Sequence, residues 1–165
     1  GRFARLRWNA ARNQFLTDTI LLNVSGSGQF ADSNLDSSEK FYLGGLNGVR
    51  AYPTSEGSGS EGFMAIAELR KYLTNNITVA GFVDYGRIKQ YQNNLKANGQ
   101  VIVENNAYSL KGYGASIAWQ GPYRTNVKAT YAHRFGHNPN PTTTGNDQDG
   151  SNEYDVFWLN GGINF

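Results

Sequence analysis

Polarity alternates with a period of two in segment after segment of this chain, the pattern of β-strands with unlike faces. In the first segment Ala4, Leu6, Trp8 and Ala10 fall on one face and Arg5, Arg7 and Asn9 on the other. Ile20, Leu22 and Val24 then oppose Asn23, Ser25, Ser27 and Gln29. Phe63, Ala65, Ala67 and Leu69 oppose Glu68 and Arg70, and Val79, Gly81, Val83 and Tyr85 oppose Thr78 and Asp84. Further on, Tyr113, Ala115, Ile117 and Trp119 face away from Ser116 and Gln120, and Val127, Ala129 and Tyr131 from Lys128, Thr130 and Arg134. The last segment sets Phe157, Leu159, Ile163 and Phe165 against Asn160 and Asn164. The pattern predicts seven strands and no helix.

The connections alternate too. Leu16-Thr17-Asp18, Thr74-Asn75-Asn76 and Gly121-Pro122-Tyr123-Arg124 read as tight turns, whereas long polar stretches run over about 32–61, 92–106 and 137–153. A soluble antiparallel barrel is the competing reading, but it has no reason to collect short turns at one end and long loops at the other. A transmembrane β-barrel has one: its periplasmic turns are short, its extracellular loops long, and its strands alternate lipid-facing and lumen-facing side chains. Residues 1–165 are therefore read as one all-β domain, part of an antiparallel transmembrane β-barrel in the bacterial outer membrane. Trp8, Tyr72, Tyr85, Trp119 and Tyr131 are expected in interfacial girdles, and Arg5, Arg7, Glu68, Arg70, Asp84 and Lys128 in a wet lumen. With the long loops outside, the last strand runs inward and leaves Phe165 at the periplasmic end. Bacterial single-chain barrels have an even strand number, so the count implies further strands upstream, and open sheet edges in lipid must be paired.

Composition narrows the function. With 17% charged and 13% aromatic residues and 20 glycines, the chain departs from ordinary soluble enzymes. It has no Cys and only His133 and His137, which argues against disulfides, a metal site or a cofactor of that kind. A net charge of +2 is too small to suggest nucleic acid as a partner. Gly57-Ser58-Gly59-Ser60-Glu61-Gly62 matches a dinucleotide-binding motif by letter, but a strand-period segment follows where a helix should start. Asp147-Gln148-Asp149-Gly150 lacks the ligand spacing of a calcium loop and reads as a solvated turn. No nucleophile and base can be paired, so the expectation is a protein that is not an enzyme.

The most distinctive stretch is Phe41-Tyr42-Leu43-Gly44-Gly45-Leu46-Asn47-Gly48-Val49-Arg50-Ala51-Tyr52-Pro53, an arginine and several bulky residues inside the polar loop 32–61. Loops that keep such residues are usually docked. Together with Gln29-Phe30-Ala31, Ser37-Ser38-Glu39-Lys40-Phe41, Glu68-Leu69-Arg70 and Phe82-Val83-Asp84-Tyr85-Gly86, this stretch resembles the outer-membrane transporters of two-partner secretion. These are the haemolysin and filamentous-haemagglutinin secretion/activation proteins, in a superfamily that includes barrel-assembly proteins. The resemblance runs from Gly1 to Phe165 and implies the carboxy-terminal part of a sixteen-stranded barrel.

The resemblance also implies site residues. The loop motif Val49, Arg50 and Tyr52 would fold back into the barrel, with Arg50 meeting Asp84 of the strand motif that Phe82 and Gly86 complete. Parity puts Asp84 with Thr78 and Ala80 on the lumen side; Glu68, also lumen-facing, stays open as an alternative partner. Ala51 stands where the superfamily usually has Gly, and its methyl group argues against a positive φ there. The closing Phe165 resembles the signal read by the barrel-assembly machinery. The implied function is a pore that translocates a large haemolysin- or adhesin-like exoprotein to the cell surface, in contact with outer-membrane lipid. The alternative is a barrel-assembly or membrane-insertion factor of the same superfamily.

Overall fold

A computed structural model describes residues 4–163, so Phe165 lies outside the described residues. The elements in chain order are β1 (Arg5–Thr17), β2 (Ile20–Ala31), a single helical turn at Ser37–Glu39, β3 (Phe41–Tyr42), β4 (Ser58–Gly59), β5 (Glu61–Tyr72), β6 (Ile77–Lys89), β7 (Ala107–Gln120), β8 (Asn126–Arg134) and β9 (Asp155–Gly162). Among the described residues β1, β2, β5, β6, β7, β8 and β9 form one seven-stranded antiparallel sheet, each strand beside its neighbour in sequence. β3 and β4 pair with each other inside the first long loop, a detail too short for periodicity to reveal. The sheet is open within this chain, with β1 and β9 at its edges.

Register turns the alternation of single strands into two continuous faces. Ile66 lies opposite Asp84, Asp84 opposite Gly112, and Gly112 opposite Arg134, so even-numbered residues of β5 to β8 share one face. Trp158 joins it opposite Thr130, and Asn23 joins it opposite Glu68. The other face exposes Val83, Ile117, Phe157 and Leu159 to the extent of 53%, 50%, 77% and 78%. An apolar face that open is what a lipid-facing wall presents. The packed core lies instead on the inner face, where Leu43, Val49, Ala51 and Tyr52 of the first loop meet Phe82, Ile88, Tyr108, Leu110 and Ala132 of the sheet.

The first two short connections share one device. Thr17 Oγ1 accepts from the N–H groups of Thr19 and Ile20 at 3.3 and 3.1 Å, and Thr74 Oγ1 accepts from Asn76 and Ile77 at 3.2 and 3.0 Å. A threonine hydroxyl thus closes each turn by bonding its own backbone a few residues on. The first turn falls at Asp18-Thr19, since Thr17 still belongs to β1. Tyr72 corrects the girdle expectation: it has the parity of Glu68 and Arg70, and it lines an inner groove with them rather than facing lipid. Its place at a strand end suggested the interface, but parity decides the face.

Candidate functional site

The loop at 32–60 is fastened at its root before it turns inward. Gln29, fully buried, donates from Nε2 to the carbonyls of Glu39 and Ser60 at 3.1 and 3.0 Å and accepts from Arg7 Nε at 2.5 Å. Arg5 pairs with the Glu39 carboxylate. Beyond this root the chain closes on itself: Leu43 and Gly44 donate to the carbonyls of Gly57 and Glu56, both at 2.9 Å, and Gly45 to that of Tyr52 at 3.0 Å. This satisfies backbone groups that burial would otherwise leave without water. The result is a compact tip that carries Arg50 to the eighth residue of the 13-residue strand β6, just past the middle of the strand on its long-loop side.

At that height Arg50 is clasped from two strands. Its Nη2 donates to Asp84 Oδ1 at 2.7 Å, its Nε to Asp84 Oδ2 at 2.9 Å, and its own backbone N–H to the same Oδ2 at 3.0 Å. Nη1 donates to Glu68 Oε2 at 2.6 Å, while Arg70 Nε holds the other Glu68 oxygen at 2.6 Å. The two carboxylates left open as alternatives by the sequence are therefore both engaged, Asp84 by the planar fork and Glu68 by the remaining amino group. Burial of Arg50 acts to lower its pKa, but the hydrogen bonds and charges of Asp84 and Glu68 outweigh it and raise the value. The Arg50 guanidinium also stacks 3.3 Å from the centre of the Phe82 ring, and its carbonyl accepts from Trp158 Nε1 at 2.8 Å. With every oxygen of both carboxylates given to a donor, the cluster is built to hold rather than to exchange protons.

The wall is shaped to receive the tip. A Cβ at Gly86 would stand 2.6 Å from Leu43 Cδ2, and one at Gly112 would stand 2.5 Å from Ala51 Cβ. Ala51 itself keeps a negative φ, so its methyl group is tolerated because the opposing strand gives up a side chain. Gly112→Val is accordingly expected to lift the loop from the wall, making residues 43–56 at least tenfold more susceptible to proteolysis with the barrel still inserted. Limited proteolysis of membrane-embedded protein checks this, and equal resistance would mean the contact is not limiting.

A second buried arginine lies beside the first cluster. Arg134, the last residue of β8, donates from Nη1 and Nη2 to Asp147 Oδ1 and Oδ2 at 3.0 and 2.5 Å, and Asn138 Nδ2 adds a bond to Asp147 at 2.8 Å. The Arg134 guanidinium lies 4.6 Å from the Tyr52 ring. Glu56 completes the link, accepting from the Gln148 N–H at 2.8 Å. Burial pushes the Glu56 pKa up, and that of Tyr52 up to about 12, which keeps the phenol neutral against the cation. The connection between β8 and β9 is thus bolted to the inward loop, and Asp147, read from sequence as part of a solvated turn, is fully enclosed.

The structure gathers Val49, Arg50, Tyr52, Glu68, Asp84, Phe82 and Gly86 into one patch on the inner face. It adds Trp158, Asp147 and Glu56, which the strand pattern did not single out, and Arg134, which that pattern gave only a polar face. A sheet with one apolar and one polar face, and an arginine loop clasped to the polar one, is the wall of an outer-membrane β-barrel of the transporter class. The chain belongs to the haemolysin secretion/activation family ShlB/FhaC/HecB, whose family model matches residues 1–118. It is similar to the heme/hemopexin transporter protein HuxB of Haemophilus influenzae, at 33% identity over 131 residues in strain 86-028NP and 34% over 133 residues in strain ATCC 51907 / DSM 11121 / KW20 / Rd. Each match covers 76% of this chain but 23% of the relative, so the chain corresponds to about a quarter of those proteins. The family is one of outer-membrane secretion transporters of Gram-negative bacteria, not of enzymes.

Proposed function

We propose that this chain supplies part of the wall and the inward loop of a conduit that carries one large exoprotein across the outer membrane by two-partner secretion. The observation that supports the reading is the clasp of Arg50 by Asp84 and Glu68, in which a loop rooted at the long-loop end reaches down the polar inner face. Toward the short-turn end the same face is polar, with a groove of about 280 Å³ lined by Glu68, Arg70, Thr78, Ser116, Gln120 and Lys128. A polar lumen lets an extended chain slide without strong apolar adhesion, while a loop clasped across it controls when the passage is open. The exported partner is of haemolysin or adhesin type, with heme/hemopexin transport, the role in HuxB's name, as the related case. Phe165 is proposed to serve the barrel-assembly machinery during insertion.

The test uses the full-length transporter expressed with its cognate exoprotein. Exoprotein is expected at the cell surface with the transporter and in the periplasm without it. Periplasmic retention in both cases would overturn the reading. Depletion of other outer-membrane barrels, with exoprotein still exported, would instead identify an assembly factor.

A further inference from the structure

We propose that the outer wall at the long-loop end binds a phosphorylated acyl lipid of the outer leaflet, with Arg87 and Lys111 holding its phosphates. The inference rests on the odd-numbered face of β5 to β8 being the lipid-facing one. Most of that face is apolar or small, as at Ala65, Ala67, Val83, Ala115 and Ile117. Its character changes near the long loops. Arg87 stands between Phe63 and Ser109, and Lys111 stands between Tyr85 on β6 and Phe135, whose N–H donates to the Lys111 carbonyl at 3.0 Å. Both cations are exposed, and neither forms an ion pair among the described residues.

Their neighbour on the same face sets them apart. Lys89 is occupied, lying 3.8 Å from Glu61 and donating to Gln92 at 2.7 Å. Arg87 and Lys111 are left without a carboxylate partner among the described residues, Lys111 Nζ lying 5.9 Å from the Tyr85 ring, in a band of aromatics where Phe63 and Tyr85 lie 5.7 Å apart and Tyr113 and Phe135 4.8 Å apart. Aromatic residues of this kind mark the headgroup level of a membrane. Diagonal neighbours on adjacent strands are about 7–8 Å apart, a span that suits two phosphates or one gripped from both sides.

Apolar space adjoins each cation. A groove of about 320 Å³ is lined by Val24, Ala67, Val83, Tyr85 and Phe135 and bordered by Lys111. Another of about 280 Å³ is lined by Phe30, Phe63 and Ala107 and bordered by Arg87. Cations at the headgroup level with apolar grooves beside them match a ligand that has phosphate at one end and acyl chains at the other. A soluble anion would use the charges and leave the grooves empty.

The test places the full-length transporter in discs of neutral phosphatidylcholine and titrates bis-phosphorylated lipid A. Each surface cation contributes about fivefold to anionic-lipid affinity, so Arg87→Gln with Lys111→Gln is expected to bind roughly thirtyfold more weakly. Wild-type protein should bind dephosphorylated lipid A as weakly as the double variant binds the phosphorylated form. Equal affinity of wild type and variant would overturn the proposal, and so would full displacement of the lipid by millimolar inorganic pyrophosphate. Exoprotein export by the same variant, measured in parallel, keeps the lipid site separate from the conduit: weakened lipid binding with normal export supports the one without touching the other.

Discussion

Arg50→Ala is expected to abolish most exoprotein export while the barrel still inserts. The substitution removes donors to both Asp84 oxygens and to Glu68, and it leaves Asp84 buried with only a backbone N–H for company. Breaking a buried ion pair from one side costs on the order of 3–5 kcal/mol, because the remaining charge has lost its partner without regaining water. Glu68 loses less, since Arg70 still holds it. The loop should therefore detach with an equilibrium shifted on the order of a hundredfold or more, and single-channel recordings should show larger and noisier conductance. Insertion should survive, because the strand ladder contains no bond from Arg50. Arg50→Lys is expected to fall between, as one ammonium cannot span two carboxylates in the way the fork does. Asp84→Asn should hurt more than Glu68→Gln, since Asp84 receives three of the four hydrogen bonds. Undiminished export by Arg50→Ala would remove Arg50 from the mechanism.

Features of this chain differ in how locally they are encoded. Strand number, face and the lumen position of Asp84 are all properties of a two-residue period, and that period is local. The partnership of Arg50 was legible only as a choice between Asp84 and Glu68, because parity gives a face but not a distance; the register that brings Glu68 opposite Phe82, and so next to Asp84 on the same face, belongs to the strand pair. For Tyr72 the count of residues from Glu68 is the stronger signal and gives the inner face, whereas an aromatic at a strand end is a weak one. Trp158 is hidden inside Phe157-Trp158-Leu159, where apolar residues on both faces mask the alternation. A tryptophan at an inner position is itself a sign that something on the inside needs a donor, and here it is the Arg50 carbonyl. Asp147 left no trace of its role, because loop-to-loop docking has no period, and a string of Asp, Gly and Asn looks the same whether solvated or enclosed.

The enclosed pair leads to the second large effect. Asp147→Ala is expected to free the connection between β8 and β9 and, through it, to loosen the inward loop. Arg134 and Asp147 are each 1% exposed, and the Arg134 Nε already lacks a hydrogen-bond partner among the described residues. Without Asp147 the guanidinium keeps only its position beside Tyr52 and, at 5.8 Å, Tyr154. The cost, on the order of 3–5 kcal/mol, should be met by local opening rather than by loss of the sheet, which stays hydrogen-bonded strand to strand. Hydrogen exchange should therefore accelerate on the order of a hundredfold or more at Gln148 and across 49–57, with β6 and β7 unchanged. Adding Arg134→Leu to Asp147→Ala should restore most of the protection, because exchanging a buried ion pair for apolar volume is often close to neutral. That rescue separates a bolt made of charge from one made of shape. If the two arginine clasps hold the same tip, Arg50→Ala and Asp147→Ala will combine non-additively in a double-mutant cycle, since a loop already released by one cannot be released again by the other. Strict additivity would mean that the two loops open independently, and that the contact between Glu56 and Gln148 couples nothing.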